Sequence, residues 1–287
     1  MSLESKLSIL MDRSQMLWKA RRFFSEKNIL EVDCPSLTQK PSIDTHIDVM
    51  STWVREGEIG YLHTSPEYAM KRLLSFGMPD IYQLSHVYRK NELGHLHNPE
   101  FTLVEWYRKN FTFPSFLEET LEFLRLFLPN FSYEIKSYEE TFLHYTQINP
   151  FTATTEELLS FAKKLSSAET SWDKDTLLGF ILTHYIEPHL GKEKFYVLYH
   201  FPPSQAALSQ IIEHQGKKVA ERFEIYFQGI ELANGYHELT KPQEQRKRLL
   251  EANEKRKLLG KDALPLDEKF LLALETPLSD MYGVAVG

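Results

Sequence analysis

One cysteine, Cys34, in 287 residues excludes an internal disulfide framework and any multi-cysteine metal site. Basic charge is not in excess either: 33 Lys and Arg stand against 40 Asp and Glu, a net charge of −7 at pH 7. A surface built to grip nucleic acid in general needs the opposite balance, because it must neutralise phosphates. No long uncharged apolar run is present, and the amino-terminal stretch MSLESKLSILMDRSQ carries acidic residues where a signal peptide has an apolar segment. Repeats, low-complexity tracts and linkers are also missing. These absences predict a soluble, cytoplasmic protein with no membrane partner. With 42% hydrophobic and 25% charged residues, the chain can bury a sizeable core, and one domain is the economical expectation.

What is present is concentrated in a few segments. RKNELGHLHNPEFTLVEWYR, from Arg89 to Arg108, joins a loop rich in phosphate-binding side chains to a strand. Strand alternation puts Phe101, Leu103, Glu105 and Tyr107 on one face, a wall with aromatic rings at its ends and a carboxylate between. Such a wall can read a planar base and a cationic side chain. IYQLSHVYR just before it also reads as a strand, so the two form an antiparallel pair around the loop. Upstream, YLHTSPEYAMKRLLSFG reads as a helix with Ser65 as N-cap, Pro66 at the first helical position and Gly77 as its stop. Glu67 then lies in the first turn.

Downstream, RFEIYFQ and GIELANGYHEL read as a hairpin hinged at Gln228 and Gly229. A two-residue turn there puts Tyr226 opposite Glu231 and makes Glu224 a diagonal neighbour of Glu231 on the same face. Two facing carboxylates repel unless a cation or proton lies between them, and oxygen-only ligands near phosphates suit Mg²⁺. Helical spacing marks residues 12–27, followed by the short β-rich NILEVDCPSL. It also marks FLEETLEFLRLFL, SYEETFLHYTQI, TEELLSFAKKL, DKDTLLGFILTHYIEPHL and the highly charged PQEQRKRLLEANEKRKLLGK. KFYVLYHFP reads as a strand.

TSPEYAMKRLL, YRKNELGHLHNPEFTLVEWYR and RFEIYFQGIELANGYHELT, in this order along nearly the whole chain, resemble the catalytic core of class II aminoacyl-tRNA synthetases. HNPEFT resembles the lysyl branch, and the helix and strand near the amino terminus resemble motif 1, the dimer-interface element. TSPEY, EWYR, GKEKFYVLYHFPPSQAALSQ and HELT resemble most closely a shortened paralogue family of the lysyl enzymes, the elongation factor P (R)-β-lysine ligases. The resemblance implies an α+β fold, an antiparallel sheet of about six strands flanked by helices, and a homodimer. It also implies a single catalytic domain over residues 1–287 without an anticodon-binding domain, so no tRNA partner is expected.

By the same resemblance, Arg89 serves the α-phosphate of ATP and the substrate carboxylate, since its planar fork suits bidentate oxygen recognition. Lys90, Asn91, His97 and Asn98 serve the nucleotide, Phe101 stacks on adenine, and Leu232 and Gly287 line the nucleotide pocket. Ser65, Pro66 and Glu67 meet the substrate amino group, and Asn234 contacts the carboxylate region. Glu105, Tyr107 and Glu238 surround the distal ammonium, whose desolvation must be compensated by buried acceptors. Ala285 shapes the pocket floor where lysyl-tRNA synthetases carry glycine, and Glu224 and Glu231 hold Mg²⁺. The activity implied is ATP-dependent activation of (R)-β-lysine as an adenylate, then transfer to a lysine ε-amine of elongation factor P.

Two departures from the family pattern are visible. Motif 2 reads Arg89, Lys90, Asn91, with the usual glutamate displaced to Glu92. The sequence also stops at Gly287, before the Asp-Arg pair of motif 3, so the expectation is a domain truncated within motif 3 and an activity weakened by the missing arginine. Two alternatives therefore stay open: a pseudo-enzyme that binds a lysine-like ligand or partner, and a small lysyl-adenylate-forming synthetase acting on tRNA.

Overall fold

A long helix, α1 (Leu3–Glu26), opens the chain and buries only its last turns, through Ala20, Phe23 and Phe24. The computed structural model describes residues 3–129, 131–166, 172–276 and 278–287. α1 starts well before the expected residue 12, in a stretch whose Leu7, Leu10 and Met11 are exposed, so burial gave the sequence pattern no purchase there. Phe24 stacks on Tyr82 at 4.1 Å between ring centres and meets Trp106 at 5.3 Å. β1 (Leu30–Glu31) follows. β2 (Leu37–Thr38), β3 (Met50–Arg55) and β4 (Glu58–Leu62) then form a small antiparallel sheet in the order β2-β4-β3. This sheet is absent from the sequence expectation, because β3 exposes nearly its whole length and shows no alternation.

α2 (Glu67–Ser75) differs by one residue from its expected start. Pro66 takes the cap position, and Ser65 lies one step further out. Ser65 Oγ still accepts from Glu67 N at 3.0 Å, and Gly77 closes the helix at φ +95, where glycine pays no steric cost. β5 (Ile81–Tyr88) and β6 (Glu100–Lys109) pair antiparallel over their whole length, from Ile81 opposite Tyr107 to Tyr88 opposite Glu100. β1 runs parallel to β5. α3 (Phe113–Arg125) is capped by Thr112 and packs Phe116, Leu121 and Phe123 inward.

The next stretch forms a second compact unit, Phe131–Leu239 with Val286. β7 (Tyr133–Ser137) is followed by α4 (Tyr138–Thr146) and α5 (Thr155–Leu165), each opened by a capping box, Ser137 with Glu140 and Thr154 with Glu157. α6 (Lys174–Ile181) runs into a π-helical turn over Leu182–Ile186 and a 3₁₀ turn over Glu187–His189. The expected single helix through His189 thus changes its winding after Ile181. β8 (Phe195–Phe201), β9 (Ile211–His214), β10 (Lys217–Phe227) and β11 (Ile230–His237) complete the unit. Here β10 pairs antiparallel with β8, β9 and β11, and β7 runs parallel to β8. The core joins Tyr138, Phe142, Leu158, Ile181, Leu198 and Tyr226.

The remainder belongs to the first unit, Met1–Asn130 and Thr240–Ala285 with Gly287. α7 (Pro242–Leu258) is the charged helix; its Arg246 and Arg248 pair with Glu268 and Glu244. α8 (Glu268–Ala273) and β12 (Met281–Val286) follow, and β12 lies beside β6. The fold is α+β. It carries more strands than six, and two of them, β1 and β7, lie parallel to their neighbours.

The hairpin between β10 and β11 turns on Gln228 and Gly229, both at positive φ, +53 and +76, the conformation a type I′ turn requires. Gly191 accepts from Gln228 N at 2.6 Å and has φ +67; a Cβ there would sit 2.5 Å from Tyr226 O. Gly191→Ala therefore meets backbone strain and a backbone clash together. It is expected to lower stability by about 2–4 kcal/mol, read from the urea unfolding midpoint; a loss below about 1 kcal/mol would show that the turn relaxes freely.

Candidate active site

The candidate site residues fall in three clusters, two in the first unit and one in the second. In the first unit Glu105, on β6, is 4% exposed. Ser65 Oγ donates to its Oε2 and Tyr107 OH to its Oε1. β6 alternation places Tyr107 on the same face as Glu105, and the Ser65 turn before α2 supplies the other donor. Both hydrogen bonds favour the ionised carboxylate. Burial and the negative charge of Glu67 outweigh them and raise its pKa to about 7. Glu67, in the first turn of α2, is paired at 2.6 Å with Lys71, whose side chain is wholly buried. On the facing strand Gln83, opposite Glu105, bridges to the backbone of Cys34 at 2.7 and 3.2 Å.

The loop between β5 and β6 forms the second cluster. Arg89 N donates to Pro99 O at 2.8 Å and closes the loop base. Its guanidinium sits 5.0 Å from the centre of the Phe101 ring and 3.6 Å from Glu92. Its Nε is buried and has no hydrogen-bond partner among the described residues. An orphaned guanidinium donor is costly unless an oxygen ligand arrives, which fits recognition of a phosphate or carboxylate. Lys90 N donates to Asp48 O at 2.8 Å. Asn91 has φ +66, a left-handed conformation that asparagine tolerates and glutamate does not favour, which accounts for the departure at this position. His97 and Asn98 are exposed. Gly287 follows β12, and a Cβ there would lie 3.5 Å from the Phe101 ring, so the ring packs close to its backbone. Ala285 lies on β12, partly buried.

The third cluster lies in the second unit, on β10 and β11. Glu224 is opposite Asn234 and Tyr226 is opposite Glu231, with a β-bulge between the two pairs that leaves Leu232 as the extra residue. Without the bulge, Glu231 and Asn234, three apart, would point to opposite faces. With it, Glu224, Tyr226, Glu231 and Asn234 share one face. Buried Glu224 accepts from Arg222 and from Tyr226 OH. Arg222 also donates to Asn234 Oδ1 at 3.3 Å and Gln205 O at 3.0 Å. Burial works against the Arg222 charge, but Tyr236, Glu224 and Glu231 around it prevail and raise its pKa. Tyr226 OH lies 3.2 Å from Glu187, whose pKa burial and the Glu224 charge push up to about 7. Glu238 is 1% exposed, its backbone held by Gln210 at 3.1 Å.

Among the described residues no three His, Cys, Asp or Glu side chains gather as a metal cluster. Glu224 and Glu231 offer two carboxylates, a donor set that suits Mg²⁺, which usually keeps waters and substrate phosphates as its other ligands. Three residues of these clusters escaped the sequence reading. Lys71 could have been found as the i+4 neighbour of Glu67, and Arg222 as the residue two before Glu224 on the same strand face. Glu187 leaves no sequence signal, because only the fold brings it to Tyr226.

The raised pKa of Glu105 has a stability consequence. A carboxyl whose folded pKa lies above its unfolded value stabilises the fold fully below about pH 4.5, and that contribution is lost as pH rises to about 7. Glu105→Gln cannot ionise. Its stability relative to the parent chain is expected to improve by a few kcal/mol, on the order of 1.4 per pKa unit, between pH 4.5 and 7.5. Urea unfolding across this range checks it, and parallel pH profiles would contradict the assignment.

A family model for tRNA synthetases class II (D, K and N) matches residues 2–287. The chain is 43% identical over 286 residues to the elongation factor P (R)-β-lysine ligase of Edwardsiella ictaluri (strain 93-146), covering 97% of this chain and 88% of that one. The ligase of the same name from Salmonella typhi is 42% identical with the same coverage. That of Haemophilus influenzae (strain PittGG) is 41% identical over 284 residues, again 97% and 88% of the two chains. With the synthetase model matched from one end of the sequence to the other, the chain belongs to the class II tRNA synthetase family of the D, K and N group.

Proposed function

We propose that this chain is an ATP-dependent ligase that activates (R)-β-lysine as an adenylate and transfers it to a lysine ε-amine of elongation factor P. The observation that carries the substrate side is the buried acidic cluster around Glu105. A carboxyl held out of water beside a second negative charge gains most from a cation that replaces its proton, and the distal ammonium of a lysine-like substrate is such a cation. Ser65 and Tyr107 fix both Glu105 oxygens, so the acceptor is preorganised. Glu67 takes the amino group nearer the substrate carboxylate, with Pro66 shaping the turn and Ala285 completing the first unit's substrate contacts.

ATP is the nucleotide substrate. Arg89 receives the α-phosphate and substrate carboxylate at its unpartnered Nε edge, and Phe101 stacks on adenine. Lys90, Asn91, His97, Asn98 and Gly287 complete the first unit's nucleotide contacts. Glu224 and Glu231 would hold Mg²⁺, which would supply positive charge to offset that of a phosphate. In the first step a substrate carboxylate oxygen forms a bond to the α-phosphorus as the bond to pyrophosphate breaks. Arg89 stabilises the charge that builds on the phosphate oxygens. In the second step the neutral ε-amine attacks the acyl carbon, the C–N bond forms, AMP leaves and the amine proton passes to solvent. No protein nucleophile is required.

A homodimer is part of the same proposal. The exposed Leu3, Leu7 and Leu10 of α1 recur at i, i+4 and i+7, an apolar stripe suited to a second copy. The net charge of −7 supports an acceptor other than tRNA. No helix among the described residues is long and apolar enough to cross a membrane, which accords with a cytoplasmic location.

ATP–pyrophosphate exchange tests the first step: exchange with (R)-β-lysine well above that with α-lysine is expected. Mass spectrometry of elongation factor P tests the second, with the modified acceptor expected only when ATP, Mg²⁺ and (R)-β-lysine are all present. Arg89→Ala is expected to slow exchange by about 10²–10³-fold. Exchange that ignores (R)-β-lysine, or charging of tRNA in place of elongation factor P, would refute the proposal. Leu7→Glu with Leu10→Glu is expected to shift sedimentation from dimer to monomer; an unchanged dimer would place its interface elsewhere.

A further inference from the structure

Lys71 has a side chain with no exposure to solvent, a rare state for lysine unless it is paired. It lies one turn after Glu67 on α2, and an exposed pair at this spacing would add little. Burial changes the balance. Lys71 Nζ is 2.6 Å from Glu67 Oε1 and 6.0 Å from the centre of the Tyr107 ring, whose hydroxyl donates to Glu105. The neighbouring Met70, Leu74, Ile81 and Tyr107 form an apolar cluster, so bulk water is poorly placed to screen these charges. Glu67 N is held by Ser65 Oγ at 3.0 Å, the same hydroxyl that donates to Glu105. Two carboxylates and one ammonium therefore share a single network. An arrangement of two acids alone would drive one of them to take up a proton.

We propose that Lys71 is a positioning residue for substrate recognition: its ammonium holds the Glu67 carboxylate in place and offsets its charge beside Glu105, so that its second oxygen meets the substrate amino group nearer the carboxylate. This rests on the assignment of Glu67 to that amino group. Lys71 thus separates the duties of the two acids. Glu105 faces the distal ammonium, and Glu67, already half satisfied, discriminates whether a second amino group is present.

Titration calorimetry of the full chain with two ligands tests this. One is (R)-β-lysine; the other is 6-aminohexanoate, which keeps the carboxylate and distal ammonium but lacks the amino group on carbon 3. Lys71→Met is expected to weaken (R)-β-lysine by about tenfold or more and 6-aminohexanoate by less than about twofold. Glu67→Gln is expected to give the same pattern, and the double variant to lose no more than about what either single change loses. Lys71→Arg, which keeps the charge, is expected to recover part of the discrimination. Equal losses for both ligands in Lys71→Met, or no loss for either, would overturn the role of Lys71 alone if Glu67→Gln still discriminates. Failure of Glu67→Gln to discriminate would instead overturn the assignment of Glu67, and the inference with it. Should Lys71→Met not fold by circular dichroism, Lys71→Gln is put through the same pair of ligands under the same criteria.

Discussion

Carboxylates taken out of water are the constraint on which both units are organised. An isolated buried carboxylate is far too costly to keep ionised, so it must gain hydrogen bonds, a cation or a proton. Glu105 has two hydroxyl donors and a neighbouring ion pair, and Glu224 has an arginine and a phenol. In each case the donor lies two residues along the same strand, Tyr107 after Glu105, and Arg222 and Tyr226 on either side of Glu224. Strand periodicity thus delivers acid and donor to one face together, and the remaining ligands come from other elements. Compensation from within is incomplete at two acids: Glu105 keeps a pKa near 7, as does Glu187 beside the Glu224 cluster. Sites left short of positive charge are sites prepared for cationic ligands.

Local backbone devices set the directions in which these groups point. The bulge at Leu232 brings Asn234 onto the face that Glu224 shares with Glu231, and the positive φ values of Gln228 and Gly229 fix the hairpin register from which the bulge is counted. Asn91 does similar work in the loop after β5, where a left-handed residue turns the chain immediately after Arg89 and Lys90. The π-helical turn after Ile181 shifts the winding just before Glu187, which then reaches Tyr226. Such irregularities cost backbone energy, and they concentrate where side chains must be aimed.

Much of this was legible from the residues alone, for identifiable reasons. The β5–β6 pair, the Gln228–Gly229 hairpin and the shared face of Phe101, Glu105 and Tyr107 follow from strong alternation and clear turn residues, and they formed as expected. Elements with weak burial contrast were missed: β3 is exposed along its length, β7 and β9 are short, and the amino-terminal turns of α1 bury nothing. The start of α2 slipped by one residue because Ser65 and Pro66 both suit a helix entrance, and Ser65 serves Glu105 as well as the first turn. For Lys71 the i+4 spacing to Glu67 is legible in the sequence, but its burial is not. A lysine four residues after a glutamate is the commonest of solvated helix pairs, and only its burial shows that it is something else.

Burial also explains why a helix pair and a strand acid must be considered together. Exposed, Glu67 and Lys71 would titrate and move independently of Glu105, and substitution of either would be almost silent. Enclosed beside the apolar cluster of Met70, Leu74, Ile81 and Tyr107, the Glu67 charge raises the Glu105 pKa while Lys71 lowers it. The proton on Glu105 thus responds, beyond its burial, to the same pair that is proposed to meet the substrate amino group. A ligand that engages Glu67 alters the field at Glu105, and a cation that reaches Glu105 relieves the repulsion on Glu67. In the proposed site, recognition of the two amino groups of one substrate would on these grounds be cooperative, with the coupling carried by charge over a few side chains.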